Sequence, residues 1–356
     1  MTIGWQVGNE IFSNKWLAIQ SASKNLHLDY RAYCNDLTWD QADWTQEPKE
    51  TITDLEIGHC EYLRKKYKTL VLFYSGGVDS NTILEHFIKN KIPLDYICVC
   101  YVKESQLSFN KDTQLAIDNL KKNESKLMGA KILYTNKLDH NEGNSIFNYK
   151  GDITKINFQL RFHHASHPIQ LKKRYPDVYK KVEDNGCIIA GVNKPYVYHD
   201  ETNGYHMYHV DRDDENWGQP YLEMFWLGSN PALQIKQCHL AKKWLIKNNR
   251  KSTNSIYKGD DEKMFWDLNK SIGRKSMDTY FHKKHCFGEK IEDQYFSQEY
   301  GKNWHNQYYA NYFNIFKKTK EYIDLSKTIY ELEQKDNRFF SNYEALGWLT
   351  IKRSLG

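Results

Sequence analysis

The chain has 356 residues, of which 40% are hydrophobic, 15% aromatic and 27% charged, with a net charge of +5. That share of apolar and aromatic side chains excludes a disordered chain, and the length suffices for two domains with large cores. Apolar runs fall far short of the ~20 residues a membrane helix needs, so no membrane partner and a cytoplasmic protein are expected, while the small positive charge decides nothing about nucleic acid.

Taken in chain order, three regions are expected. Residues 1–65 read as an N-terminal helical extension with scattered aromatics (Trp5, Trp16, Trp39, Trp44). It opens without the basic stretch and apolar core of a secretory leader. It ends in "DLEIGHCEYLRKKY", where Leu55, Cys60 and Leu63 recur near helical spacing. Arg64, Lys65 and Lys66 suit the last turn of that helix, whose dipole favours cations.

Residues 66–200 alternate strand and helix. "TLVLFY" reads as a buried strand, "SNTILEHFIKNK" as a helix, "LDYICVCYV" as a second strand and "DTQLAIDNLKKNESKLMGA" as an amphipathic helix. "KILYTN" is the third strand. "YPDVYKKVEDNG" is a helix stopped by Gly186, and "CIIAGVNKP" is a fourth strand ending in a glycine loop. This alternation predicts an α/β fold: a Rossmann-like parallel sheet covered on both faces, with right-handed crossovers. Residues 201–356 are expected to form a mostly helical substrate or accessory domain, from "PALQIKQCHLAKKWLIKN", "DEKMFWDLNKSIG" and "NYFNIFKKTKEYIDLSKTIYELEQ".

The stretch that carries chemistry is "SGGVDS", Ser75 to Ser80, where the first strand of the second region hands over to its helix. In an open parallel sheet, ligands bind beyond the carboxyl ends of strands. A loop that opens a helix there aims backbone N–H groups and the positive helix terminus outward. Gly76 and Gly77 permit close approach of an anion and positive φ. Ser75 and Ser80 can donate hydroxyl hydrogen bonds to phosphate oxygens. Asp79 would repel an anion unless a cation stood between them, and magnesium, held by one carboxylate, phosphates and water, resolves the conflict. The spacing matches neither G-x-x-x-x-G-K-[ST] nor G-x-G-x-x-G.

In its strand–loop–helix setting this loop resembles the PP-loop of the ATP pyrophosphatase superfamily, the adenine nucleotide alpha hydrolase-like group. That group includes asparagine, GMP and NAD synthetases, tRNA-modifying thiolases, lysidine synthetases and adenylylsulfate reductases. The resemblance covers roughly residues 66–200. It implies an ATP-binding domain that cleaves ATP to AMP and pyrophosphate with Mg²⁺, activating a carboxylate or amide-type oxygen for C–N bond formation. On that resemblance Ser75, Gly76, Gly77, Val78, Asp79 and Ser80 would hold the phosphates, with Asp79 on the metal. Tyr101 and Gly191 would lie against the nucleotide.

Three further stretches offer candidates. "AGVNKP" ends the fourth strand on the same edge, and its Lys194 could contact the α-phosphate; Asn193 and Lys194 stand where relatives often carry an acidic pair. In "KINFQLRFHHASH", Arg161 is a candidate phosphate or carboxylate partner, whereas His163 and His167 have metal-ligand spacing without a third ligand and read as solvated or core histidines. "YHDETNGYHMYHVDRDDENW" reads as a hairpin turning at Asn203-Gly204, with a metal-bearing lid as the alternative.

Absences narrow the chemistry. Position 2 is Thr2, so no N-terminal nucleophilic cysteine for a built-in glutaminase is visible. Seven cysteines are scattered without a C-x-x-C pair, which argues against a zinc site and for reduced thiols. An adenylate-forming ligase is therefore expected, with a small-molecule, nucleobase or tRNA acceptor and a separate ammonia or amide-nitrogen donor. Two alternatives stay open: a sulfur-transferring or adenylylsulfate-reductase-like enzyme using Cys286, whose basic neighbours in "KKHCFGEK" favour a thiolate, and a non-catalytic nucleotide-binding module.

Overall fold

The computed structural model describes residues 3–13, 15–25, 27–101, 111–136, 171–191, 195–209, 221–253, 256, 262–274 and 350–356. The chain begins with strands β1 (Ile3–Val7) and β2 (Glu10–Phe12), helix α1 (Lys15–Lys24) and strand β3 (Tyr30–Cys34). These strands form an antiparallel sheet in the order β2-β1-β3. The expected helical extension is thus corrected: Trp5 and Val7 alternate inward along β1 and are buried with Ala32 and Cys34 of β3. What looked like scattered aromatics is a period-two pattern, too short at five residues to stand out.

Helix α2 (Asp36–Trp39) follows, then α3 (Ile52–Lys66). Thr51 caps α3 by accepting from the Asp54 N–H, and the Asp54 carboxylate accepts from the Thr51 N–H in return. The helix buries Leu55, Cys60 and Leu63 as its spacing predicted, and Glu56 and His59 besides.

The sheet-forming core then runs β4 (Thr69–Tyr74), α4 (Val78–Lys89), β5 (Tyr96–Tyr101), α5 (Lys111–Lys122), β6 (Lys131–Asn136), α6 (Pro176–Asn185) and β7 (Gly186–Ala190). Beyond it come β8 (Tyr196–Asp200), β9 (Gly204–Tyr208), β10 (Leu222–Met224), α7 (Pro231–Lys247), α8 (Glu262–Ser271) and β11 (Arg353–Ser354). Five strands make one sheet in the order β10-β7-β4-β5-β6, and every pairing in it is parallel. The protein is an α/β fold, as its alternating pattern predicted.

Alternation along β4 explains why its apolar run is unbroken. Leu70, Leu72 and Tyr74 face a core shared with α3, α4 and α5, while Val71 faces a second core shared with the N-terminal sheet and α7. A strand buried on both faces has no position to spare for a polar side chain. At the opposite end of β4, Arg64 donates to Asp95 Oδ2 at 2.7 Å and to the Tyr67 carbonyl at 2.6 Å, and Asp95 Oδ2 also accepts from the Leu70 N–H at 2.8 Å. Both side chains are partly exposed. Arg64→Met is therefore expected to lower stability by only about 1 kcal/mol in urea unfolding.

Two features depart from the expected third region. The sheet's fifth strand, β10, lies beyond residue 200, and β8, β9 and β11 form an antiparallel sheet of their own that straddles that boundary. At three residues, β10 is too short for its pattern to announce it. The hairpin at Asn203-Gly204 does form, with Gly204 at φ +78°. Helices α7 and α8 match their predicted stretches, and the third helical stretch, within 311–334, lies outside the described residues. In β11, Arg353 reaches across to Asp36 at 3.0 Å and Asp40 at 2.6 Å, its guanidinium against the rings of Trp39 and Trp44. No described helix is long and apolar enough to cross a membrane.

Candidate functional site

Strand order reverses at β4. Its chain successors β5 and β6 lie on one side, and β7 and β10 on the other. Where a parallel sheet reverses in this way, the connections leave in opposite directions and a crevice opens beyond the carboxyl ends of the two central strands. Ser75–Ser80 follows β4, and Gly191 follows β7, so both meet at that crevice.

The loop is shaped by its own small residues. Gly76 adopts φ +72°, and a Cβ there would lie 2.7 Å from the Cβ of Ala116, so the loop backbone rests directly on α5. Gly77 is the N-cap of α4 and offers no side-chain cap; among the described residues a Cβ there would have only Ser75 Oγ, at 3.3 Å, within reach. The first-turn amides of α4 therefore receive no side-chain acceptor from their own cap.

Ser80 is buried and works inside the loop. Its Oγ accepts from the Ser75 N–H at 3.3 Å, lies 3.2 Å from Ser75 Oγ, and donates to the Gly77 carbonyl at 3.3 Å. The Gly77 N–H donates to Ser75 Oγ. Ser75 is exposed at the mouth, whereas the Val78 side chain is buried in the core and can offer only its amide.

Gly191 is required by contact within the protein. A Cβ there would lie 2.9 Å from the Ser80 nitrogen and 3.0 Å from the Asp79 carbonyl carbon, so the end of β7 presses on the first turn of α4. Behind the loop, Tyr74 Oη donates to Asn81 Oδ1 at 2.8 Å, and Asn119 Nδ2 donates to both. This triangle ties β4, α4 and α5 together. Burial pushes the Tyr74 hydroxyl up to about 12, which keeps it a neutral donor at physiological pH.

Asp79 shows the main departure from expectation. Its Oδ1 accepts from Arg274 Nη1 at 2.8 Å. Arg274 has no exposed side-chain surface, lies 4.5 Å over the Trp226 ring and places Nη2 3.4 Å from Gln237 Oε1. It is delivered by Gly273, which ends α8 at φ +96° where a Cβ would lie 2.6 Å from Ile52. Sequence reasoning missed Arg274. The glycine closing α8 was legible as a helix stop, but 195 positions separate Arg274 from Asp79.

Of the other expected site residues, Tyr101 closes β5 on the same sheet edge, in register with Asn136. Lys194, Arg161, His163, His167 and Cys286 lie outside the described residues. Among the described residues, no three His, Cys, Asp or Glu side chains group closely enough to hold a metal ion. Two acid–imidazole pairs stand elsewhere, one part-buried and one buried. Glu56 Oε2 lies 2.8 Å from His86 Nε2, and Glu223 Oε1 lies 3.3 Å from His59 Nε2. Cys34, Cys60, Cys98, Cys187 and Cys238 are buried, and burial pushes the Cys98 thiol up to about 12. Compared with protein-family models, curated proteins and solved structures, the chain matches none of them.

Proposed function

We propose that the protein is an ATP-dependent adenylylating enzyme that converts ATP to AMP and pyrophosphate while activating a carboxylate or amide-type oxygen for C–N bond formation. The observation that carries this reading is the position of the Ser75–Ser80 loop at the reversal point of the parallel sheet, opening the uncapped N-terminus of α4 with Gly191 pressed against its first turn. An open cradle at Gly77, which a side chain would fill, fits a polyphosphate.

In this reading the Val78 amide and the Ser75 hydroxyl bind the β- and γ-phosphates, and Gly77 leaves room for them. Gly76 and Ser80 fix the loop's shape, and Tyr101 and Gly191 border the nucleotide. An acceptor oxygen attacks the α-phosphorus, the α–β bridging P–O bond breaks, and its electrons leave with pyrophosphate. The loop amides stabilise the negative charge that develops there. A nitrogen nucleophile then attacks the adenylate and releases AMP. Lys194 and Arg161 are the proposed cationic partners of the α-phosphate and the acceptor. ATP comes with Mg²⁺, and the acceptor is a small molecule, a nucleobase or a tRNA.

The sulfur-transfer alternative rests on Cys286, which lies outside the described residues. The test follows ³²P-labelled ATP during incubation with candidate carboxylate and amide acceptors. AMP and pyrophosphate are expected in equal amounts, and pyrophosphate–ATP exchange should depend on the acceptor. ADP and phosphate as products would sink the proposal.

A further inference from the structure

We infer that Arg274 is the loop's built-in counter-cation, so that the seat takes phosphate groups without a divalent ion held on Asp79. This rests on the nucleotide reading of the loop. A magnesium ion needs near-octahedral oxygen ligands at short range and sheds its water reluctantly. The Asp79 carboxylate offers it a poor seat, because one oxygen already accepts from a guanidinium nitrogen at 2.8 Å. A dication on that carboxylate would stand within a few ångströms of a permanent positive charge, in a partly buried place where repulsion is weakly screened.

The guanidinium has no way to yield. Its side chain is fully buried and stacked on Trp226, with Gln237 beside Nη2, and the backbone that carries it is pinned by its N–H donating to the Asn269 carbonyl at 3.0 Å. An arginine does not deprotonate in a protein. Arg274 therefore sets a fixed positive charge against the Asp79 carboxylate, and the conflict between a carboxylate and an incoming anion is eased inside the chain. No second acidic or imidazole group joins Asp79 in a metal-binding cluster among the described residues. The ligand class that follows is the polyphosphate itself, free pyrophosphate included, with any metal it carries remaining on its own oxygens. Arg274 is in this sense a positioning residue, acting through Asp79.

Calorimetric titration of the full chain with ATP and with inorganic pyrophosphate, in EDTA and in Mg²⁺, tests this. Wild-type affinity for each is expected to differ by less than about threefold between the two buffers. Arg274→Met removes this counter-charge from Asp79 beside the anion and should lose roughly tenfold or more in EDTA. Adding Asp79→Asn to that variant should restore most of the loss, which a merely structural arginine would not allow. If Arg274→Met does not fold, Mn²⁺ titration of ligand-free wild-type chain, followed by electron paramagnetic resonance, decides the matter. No tight site is expected, and a tight site lost in Asp79→Asn would overturn the inference. Binding that appears only with Mg²⁺ overturns it too while leaving the nucleotide reading standing. Folded protein that binds neither probe in either buffer removes the nucleotide reading itself, and the inference with it.

Discussion

Valine in place of Gly77 is expected to weaken ATP binding on the order of a hundredfold, the equivalent of about two amide–phosphate hydrogen bonds, while the fold survives. Gly77 sits at φ −76° and ψ 169°, a conformation open to any residue, and among the described residues its would-be Cβ meets only the flexible Ser75 hydroxyl. Whatever a branched side chain obstructs there is the crevice rather than the protein. Alanine at Gly76 should do the reverse. The left-handed φ costs an L-residue about 1–2 kcal/mol, and pressing a methyl against Ala116 adds about 1–3 kcal/mol more. Urea unfolding and ATP titration of the two variants separate the roles. Loss of stability at position 77 with unchanged ATP affinity would mean that the loop is only a turn.

The second large effect is expected away from the crevice. Glu223 of β10 is fully buried between His59 Nε2 and the Ser229 N–H, which donates to it at 2.9 Å. Burial alone would raise this carboxyl. The contact and charge of His59, with the Ser229 N–H, outweigh it and hold the carboxyl below the ordinary glutamate range. His59→Ala leaves the carboxylate without its main partner and should cost about 3 kcal/mol or more in urea unfolding at neutral pH. Adding Glu223→Gln should recover part of that loss.

The pH dependence follows from the direction of the shift. With its folded value lowered, Glu223 binds a proton more readily in the unfolded chain, so stability rises with pH between the two values. Its contribution is fully present above the ordinary glutamate range and is lost as pH falls through the lowered folded value. The acid limb of a stability profile should be shallower in Glu223→Gln than in the wild type. Identical limbs would mean that the pair carries no such linkage.

How much of this could be read beforehand varied with element length. β4 to β7, with the helices between them, were legible because a strand buried on both faces writes an unbroken apolar run and its helix a longer period. The loop was legible because two adjacent glycines between such elements have few other uses. β1, β3 and β10 were not, since three to five residues give alternation no room to repeat. Val78 shows a subtler miss: the loop position was found, but its side chain belongs to the core beneath α4. Ser80 likewise braces the loop from inside. Arg274 illustrates what local pattern cannot reach, because its meaning depends on Asp79, Trp226 and Gln237 being brought to it by the whole fold.

The reach of Arg353 back to Asp36 spans 317 positions. On a ribosome working at ~5–20 residues per second, Asp36 waits on the order of half a minute for this second arginine, with Arg31 of β3 its nearer partner in the chain at 3.6 Å. Over that interval the contact is missing, so this closure step follows the emergence of residue 353 rather than that of the β1–β3 segment itself.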